Sequence, residues 1–276
     1  MTKINGMLQE VLDNKIMLVI AGPCLAESFD LCDRIASQLI SICYGRAHLV
    51  FKASADKANR SSSTSPRGPG FIQGLRILEQ IKEKHGIPIT TDVHYPTQVA
   101  MASVNVDLLQ TPALLMRQTD LMMACGQTRR NVNLKKGQFS NLPTALRAFE
   151  KIKRKQFQGT INCITERGTT FGGEGDLVVD FRNFLRIADH DRKLVRIIDA
   201  THSIQRQSDN DLETSTGEPE FSMRIAMAGL AAGAHGIFVE CHPEPEDALS
   251  DGSIATPLEH MKEFIHRCLS IWEASK

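Results

Sequence analysis

The stretch His48-Leu49-Val50-Phe51-Lys52-Ala53-Ser54-Ala55-Asp56-Lys57-Ala58-Asn59-Arg60 opens as a short apolar, β-rich run and passes at once into a dense polar group. That transition predicts a strand ending at a functional loop. It recurs along the chain, with runs over 17–21, 48–52, 87–92, 106–110, 131–135, 160–165, 196–199 and 236–240. Amphipathic stretches between them predict helices over 28–41, 70–84, 97–103, 120–125, 142–153 and 223–232. Such alternation places the chain in the α/β class, and eight βα units predict a closed (β/α)8 barrel, one domain spanning 1–276. A doubly wound open sheet fits the same count, because counting runs does not pair the last strand with the first. The strand ends favour the barrel. They carry Pro23-Cys24, Ser54 to Arg60, His94, Gln110, Lys135-Lys136, Glu166-Arg167, His202 and Glu240 to His242, which a barrel gathers at one mouth.

Composition narrows the class. A chain of 276 residues, 42% hydrophobic, can bury a large core. Its 32 basic and 32 acidic side chains cancel, so no global field argues for nucleic acid or an anionic membrane as partner. Any functional charge must be local. Seven cysteines, scattered and without a CxxC pair, do not suggest a disulfide framework and fit a reducing cytoplasm. The amino terminus mixes Lys3, Glu10, Asp13 and Lys15 before an apolar run too short for a signal or spanning helix, so a soluble, unexported protein is expected.

Three constellations carry chemistry. Around the second run, Lys52, Lys57, Arg60 and Arg67 stand among the hydroxyls of Ser54, Ser61 and Ser62, a supply of point charges, planar forks and adaptable donors for phosphate and carboxylate. A solvated basic loop is the competing reading of that segment alone. Arg117, Lys135-Lys136 and Arg167 add cations from other strand ends. Side chains alternate along a strand, so Lys135 is expected to point into the barrel and Lys136 to be structural or surface-facing. Cys24, His202, Glu240 and Asp251 would suit a divalent first-row metal with an open position. Singly, each serves as well as a buried thiol, a hydrogen-bonded core histidine, or a capping or salt-bridging carboxylate. Asp92 and His94, two residues apart, could face one side and share a proton or orient substrate, with core satisfaction as the alternative.

These blocks resemble the 3-deoxy-D-manno-octulosonate-8-phosphate (KDO8P) synthases. Ala21-Gly22-Pro23-Cys24, Phe51-Lys52-Ala53-Ser54, Asp56-Lys57-Ala58-Asn59-Arg60-Ser61-Ser62 and Arg67-Gly68-Pro69-Gly70 match the first half of that family. Thr91-Asp92-Val93-His94, Leu109-Gln110, Arg117-Gln118-Thr119-Asp120, Asn133-Leu134-Lys135-Lys136-Gly137-Gln138-Phe139, Glu166-Arg167-Gly168, Asp199-Ala200-Thr201-His202-Ser203 and Glu240-Cys241-His242-Pro243 follow in family order. The related 3-deoxy-arabino-heptulosonate-7-phosphate (DAHP) synthases share the Gly-Pro-Cys start and the Glu-Arg-Gly block. Lys57 to Ser62 is the discriminating motif, and it favours arabinose 5-phosphate.

The resemblance implies a homotetrameric barrel that condenses phosphoenolpyruvate with D-arabinose 5-phosphate in lipopolysaccharide sugar synthesis. It implies that Lys52, Lys57, Gln110, Lys135 and Arg167 hold phosphoenolpyruvate. Asn59, Arg60, Ser61 and Arg117 would address the sugar phosphate, some of them across a subunit interface, with Ser54 among the substrate-binding hydroxyls. His202, Asp92, His94 and Asn59 would stand at the reacting atoms. Members lacking metal carry Asn where this chain has Cys24, so Cys24, His202, Glu240 and Asp251 imply the metal-dependent subclass, with an ion of the Fe, Mn, Co or Zn class. The chain departs from the family at Ala55, Tyr95, 172–175 and 205–220. Two alternatives follow: the same chemistry on another phosphorylated aldose, or a catalytically silent barrel that binds a metabolite or partner.

Overall fold

The computed structural model describes residues 2–58, 65–170, 176–207 and 215–276. Its centre is built from eight parallel strands: β1 (Met17–Gly22), β2 (Ala47–Lys52), β3 (Ile89–Asp92), β4 (Leu108–Thr111), β5 (Asn131–Lys135), β6 (Cys163–Glu166), β7 (Val195–Asp199) and β8 (Gly236–His242). Each pairs with the next, and β8 returns to β1 with Gly236 beside Leu18 and Glu240 beside Gly22. That pairing closes the sheet into a (β/α)8 barrel and excludes the open sheet. Around it run α1 (Lys3–Leu12), α2 (Phe29–Cys43), α3 (Phe71–His85), α4 (Pro96–Asn105), α5 (Thr119–Gln127), α6 (Leu142–Lys153), α7 (Arg182–His190), α8 (Ser222–Ala231) and α9 (Met261–Ala274).

Strand alternation sorts the core into two sets. Met17, Val19, Ala21, Leu49 and Phe51 pack outward among the helices. Leu18, Ile20, Val50, Leu108, Cys163, Val195, Ile197 and Phe238 fill the interior, and Ile4, Leu8 and Val11 of α1 join that cluster. Because Leu18, Leu108, Cys163 and Val195 lie near the strand starts, α1 closes the amino-terminal end of the barrel. Asn5 fixes it there, its carboxamide oxygen accepting from Asn131 Nδ2 at 2.6 Å. Toward the carboxyl ends the interior turns polar, through Lys52, Gln110, Asn133, Lys135, Thr165, Asp199 and Glu240, all buried.

Local chemistry explains where elements start. Pro88 lacks an N–H, so β3 begins at Ile89 rather than 87, although the Pro88 carbonyl still accepts from Phe51. Val106 closes the last turn of α4 by donating to Ala102, which delays β4 to Leu108. Thr160 turns its hydroxyl onto Phe157, and β6 starts at Cys163. Ser28 caps α2 by accepting from Leu31 N, Asn141 caps α6 through Thr144 N, and Gly86 ends α3 in the left-handed conformation at φ 64°. Two short hairpins rise beyond β6 and β7: Thr169–Thr170 against Leu177–Val178, and Gln205–Gln207 against Ser215–Gly217. All seven cysteines are buried and free. Among the described residues no helix is long and apolar enough to cross a membrane.

Candidate active site

The carboxyl ends of the strands bring four cations together, and the three lysines among them are each met by a carboxylate. Lys52, at the end of β2, is ion-paired with Glu240 of β8, and both are 1% exposed. Its ammonium also donates to the Cys24 carbonyl at 2.9 Å. The approach is close enough that a side chain at Gly22 would stand 2.1 Å from the Lys52 carbonyl oxygen, so β1 requires glycine there. Lys57 lies 3.6 Å from Asp251, and Lys135 pairs with Asp199 at 2.8 Å with its ammonium 3.7 Å from the Phe238 ring centre. Arg167 donates through Nη1 to Gln138 and through Nη2 to Gln205, both at 2.8 Å, while its buried Nε has no hydrogen-bond partner among the described residues. Burial alone would lower the Lys57 pKa, but Cys24, Glu240 and Asp251 around it hold it well above the usual lysine value. The mouth is a layer of cations and carboxylates that can exchange partners when an anion enters.

One cluster fits a metal ion. Cys24, Glu240 and Asp251 offer ligand atoms that all lie within 4.8 Å of one another. Pairing of the loops after β1 and β2, with Ser54 N donating to Cys24 O, sets Cys24 in place. Asp251 reaches it from a left-handed backbone, φ 54°, and accepts from Cys24 Sγ at 2.9 Å. Burial, with Asp251 and Glu240 nearby, pushes the Cys24 thiol well up. Burial would also raise Glu240, yet Lys52, His202 and Lys57 bring it down to about 2. Its Oε2 is buried without a hydrogen-bond partner among the described residues. A buried, ionised oxygen left unpaired beside a thiol and a second carboxylate is what a divalent cation would satisfy. His202 borders the set, with Nε2 3.8 Å from Glu240 Oε2. Its Nδ1 lies 3.0 Å from Asp199 Oδ2, which turns Nε2 toward the cluster.

Asp92 forms the third part. Ser54 Oγ donates to one of its oxygens at 2.7 Å and Gln110 Nε2 to the other at 3.0 Å. Burial would raise this carboxyl, but Lys52, Lys135 and Lys57 hold it far below the ordinary range, so it is an ionised acceptor.

Other expected residues fall elsewhere. β3 ends at Asp92, and His94 beyond it hydrogen-bonds through N and Nδ1 to Gln98 Oε1 instead of pairing with Asp92. Burial lowers its pKa. Lys136 takes the structural of its two expected places: it is 1% exposed and binds Glu166 at 3.1 Å, the Gly168 carbonyl and Thr169 Oγ1. Arg117 is exposed on the loop between β4 and α5. Asn59, Arg60 and Ser61 lie outside the described residues, as do 172–175 and 208–214. Asp56 and Arg67 flank 59–64 with a two-pronged ion pair, at 3.0 and 2.6 Å. Asp199, Asn133 and Thr165 are site residues that strand-end reasoning passed over. Asp199 sat three residues before His202, and the period-two polar pattern Asn131, Asn133, Lys135 marked the inner face of β5.

With this geometry in hand, known proteins are informative. Residues 10–273 match the family model described as the DAHP synthetase I family. The chain is 44% identical over 258 residues to a "2-dehydro-3-deoxyphosphooctonate aldolase" of Syntrophobacter fumaroxidans, covering 92% of this chain and 86% of that protein. Proteins of the same name from Trichlorobacter lovleyi and Legionella pneumophila are 42% and 40% identical, covering 92% and 91% of this chain and 91% and 90% of theirs.

Proposed function

The chain belongs to the DAHP synthetase I family, and from that premise we propose that it has the activity of the relatives above, joining phosphoenolpyruvate to D-arabinose 5-phosphate. Carbon 3 of the enol bonds to the aldehyde carbon, water adds to carbon 2, and the carbon–oxygen bond to phosphate breaks. The products are 3-deoxy-D-manno-octulosonate 8-phosphate and inorganic phosphate.

The observation that carries this reading is the convergence of Lys52, Lys57, Lys135 and Arg167 from the ends of three strands, β2, β5 and β6, on one mouth. Two anionic substrates repel each other, and fixed cations offset that repulsion while holding the reacting carbons together. Lys52, Lys57, Lys135, Arg167 and Gln110 take the phosphoenolpyruvate carboxylate and phosphate, with Ser54 alongside. Asp92, ionised and acceptor-only, accepts a hydroxyl or water hydrogen and so turns the oxygen that carries it toward the reacting carbons. His202, steered by Asp199, together with Cys24, Glu240 and Asp251 would hold a divalent cation of the Fe, Mn, Co or Zn class. Such an ion supplies Lewis acidity at the mouth when bound. Asn59, Arg60, Ser61 and Arg117 are assigned to the sugar phosphate through the family motif, with Arg117, exposed here, serving a neighbouring subunit of a homotetramer.

Phosphate release from phosphoenolpyruvate, measured with a panel of aldose phosphates and with or without chelator, tests the proposal. Turnover specific to arabinose 5-phosphate and lost on chelation is expected. Turnover with a different aldose alone would overturn the sugar assignment, and chelator-insensitive turnover would overturn the metal.

A further inference from the structure

Gln110 and Asp92 stand at the phosphoenolpyruvate end of the mouth on the reading above, and what fixes them lies one layer deeper. A line of hydrogen bonds crosses adjacent strands in a single sense. Thr165 Oγ1 of β6 donates to Asn133 Oδ1 at 2.8 Å, and Asn133 Nδ2 of β5 donates to Gln110 Oε1 at 2.9 Å. Gln110 Nε2 of β4 donates to Asp92 Oδ1 of β3 at 3.0 Å, and Ser54 closes the line on Oδ2. Thr165, Asn133, Gln110 and Ser54 are each 0% exposed. Barrel layers are ordinarily filled by branched apolar residues. Polar groups at this depth destabilise the fold unless they are bonded, and here each of these side chains has a partner in the line.

We propose that Asn133, backed by Thr165, is a positioning residue for the condensation. A carboxamide can lie either way round, and the two orientations differ in which atom faces Asp92. Asn133 offers an N–H, so Gln110 must present its oxygen to β5 and its nitrogen to the Asp92 carboxylate. The Thr165 hydroxyl holds Asn133 one strand back by donating to its Oδ1, and the acceptor-only Asp92 carboxylate sets the sense of the line from the other end. Gln110 Nε2 carries two N–H groups; one meets Asp92, and the other serves an anion at the mouth. Asn133 and Thr165 touch no substrate in this scheme. They act through the direction they impose on Gln110.

The inference rests on the phosphoenolpyruvate reading, and the test separates the two. Calorimetric phosphoenolpyruvate affinity, KM for each substrate and the thermal midpoint are measured on the full chain and its variants. Asn133→Leu should weaken phosphoenolpyruvate binding about tenfold, the scale of one misdirected buried hydrogen bond, while the KM for arabinose 5-phosphate stays put. Thr165→Val should lose several-fold and Thr165→Ser should restore wild-type affinity. In a Gln110→Met background Asn133→Leu should bring no further loss, because no carboxamide remains to be oriented. An equal loss in both backgrounds would make Asn133 merely structural and end the proposal, as would unchanged affinity in Thr165→Val, which is close to isosteric and carries the test if Asn133→Leu does not fold. A wild-type chain that binds phosphoenolpyruvate but does not turn over arabinose 5-phosphate sinks the sugar reading and leaves this inference standing on the affinities. A wild-type chain that binds no phosphoenolpyruvate ends both.

Discussion

Lys135 and Lys136 are neighbours in sequence with opposite duties. Lys135 points inward to Asp199 and the mouth, whereas Lys136 points outward to Glu166, which Asn183 Nδ2 also binds at 2.7 Å. Lys135→Met is expected to cut turnover at least ~100-fold, the cost of losing a preorganised charge, with a smaller effect on thermal stability. Lys136→Met should instead cost about 3 kcal/mol of stability, because the buried Glu166 loses its counter-ion. Steady-state rates and denaturant unfolding on the same two proteins check the division. A second residue makes an acid prediction. Burial and then Arg196 lower the His235 pKa to about 3, so between about 6.5 and 3 the unfolded chain binds a proton that the folded chain refuses. Stability should therefore fall with pH across that window, by up to about 1.4 kcal/mol per pH unit from this group. His235→Gln, unfolded by heat at pH 7 and pH 4.5, should show a smaller acid loss than wild type; an unchanged loss would remove His235 as a cause. At this scale the cations were legible in the sequence, because charge at a strand end is unusual and alternation picks the inward lysine. The partners were not: Cys24 and Asp251 are 227 positions apart, and nothing local announces their contact.

Among the elements, α1 differs most from expectation. Its charged positions speak only against a signal or spanning helix and it is not among the expected helices, yet Ile4, Leu8 and Val11 recur at helical spacing and fill the end of the barrel. Leu8, 0% exposed, is its anchor. Leu8→Ala should destabilise the fold by roughly 2–5 kcal/mol, read as a lower denaturant midpoint, while turnover at low temperature stays near wild type because the catalytic layer is at the other end. A collapse of turnover in a folded Leu8→Ala protein would show that the two ends are coupled. Strand positions were largely readable from apolar runs, and their edges moved where Pro88, Val106 and Thr160 engage their neighbours' backbone. Helix α9 was also readable in principle, since Met261, Phe264, Ile265, Cys268, Leu269 and Trp272 trace one buried face. Period alone could not supply the closure of β8 on β1, which joins segments at opposite ends of the chain.

For the whole molecule, the metal-ligand cluster and the fold are linked. An ion that binds only the folded chain stabilises it by RT ln(1 + [ion]/Kd), about 2.7 kcal/mol at a hundredfold excess over Kd. Adding a divalent ion should therefore raise the thermal midpoint of the chelated protein, and Cys24→Asn should blunt that rise. A midpoint indifferent to metal in the Cys24 protein would remove the ion from the folded state. The buried cysteines give the molecule a further property. Burial pushes the Cys32, Cys43, Cys125 and Cys268 thiols up to about 12 and shelters them from reagents, so at neutral pH they have almost no thiolate to react. Cys32, Cys43 and Cys268 sit on α2 and α9, which pack together beside the β8–β1 seam, and Cys125 sits on α5 across the barrel from them. A thiol-selective label should then enter them only as fast as the chain opens, and site-by-site mass spectra would record whether the barrel unzips from one side or comes apart as a unit.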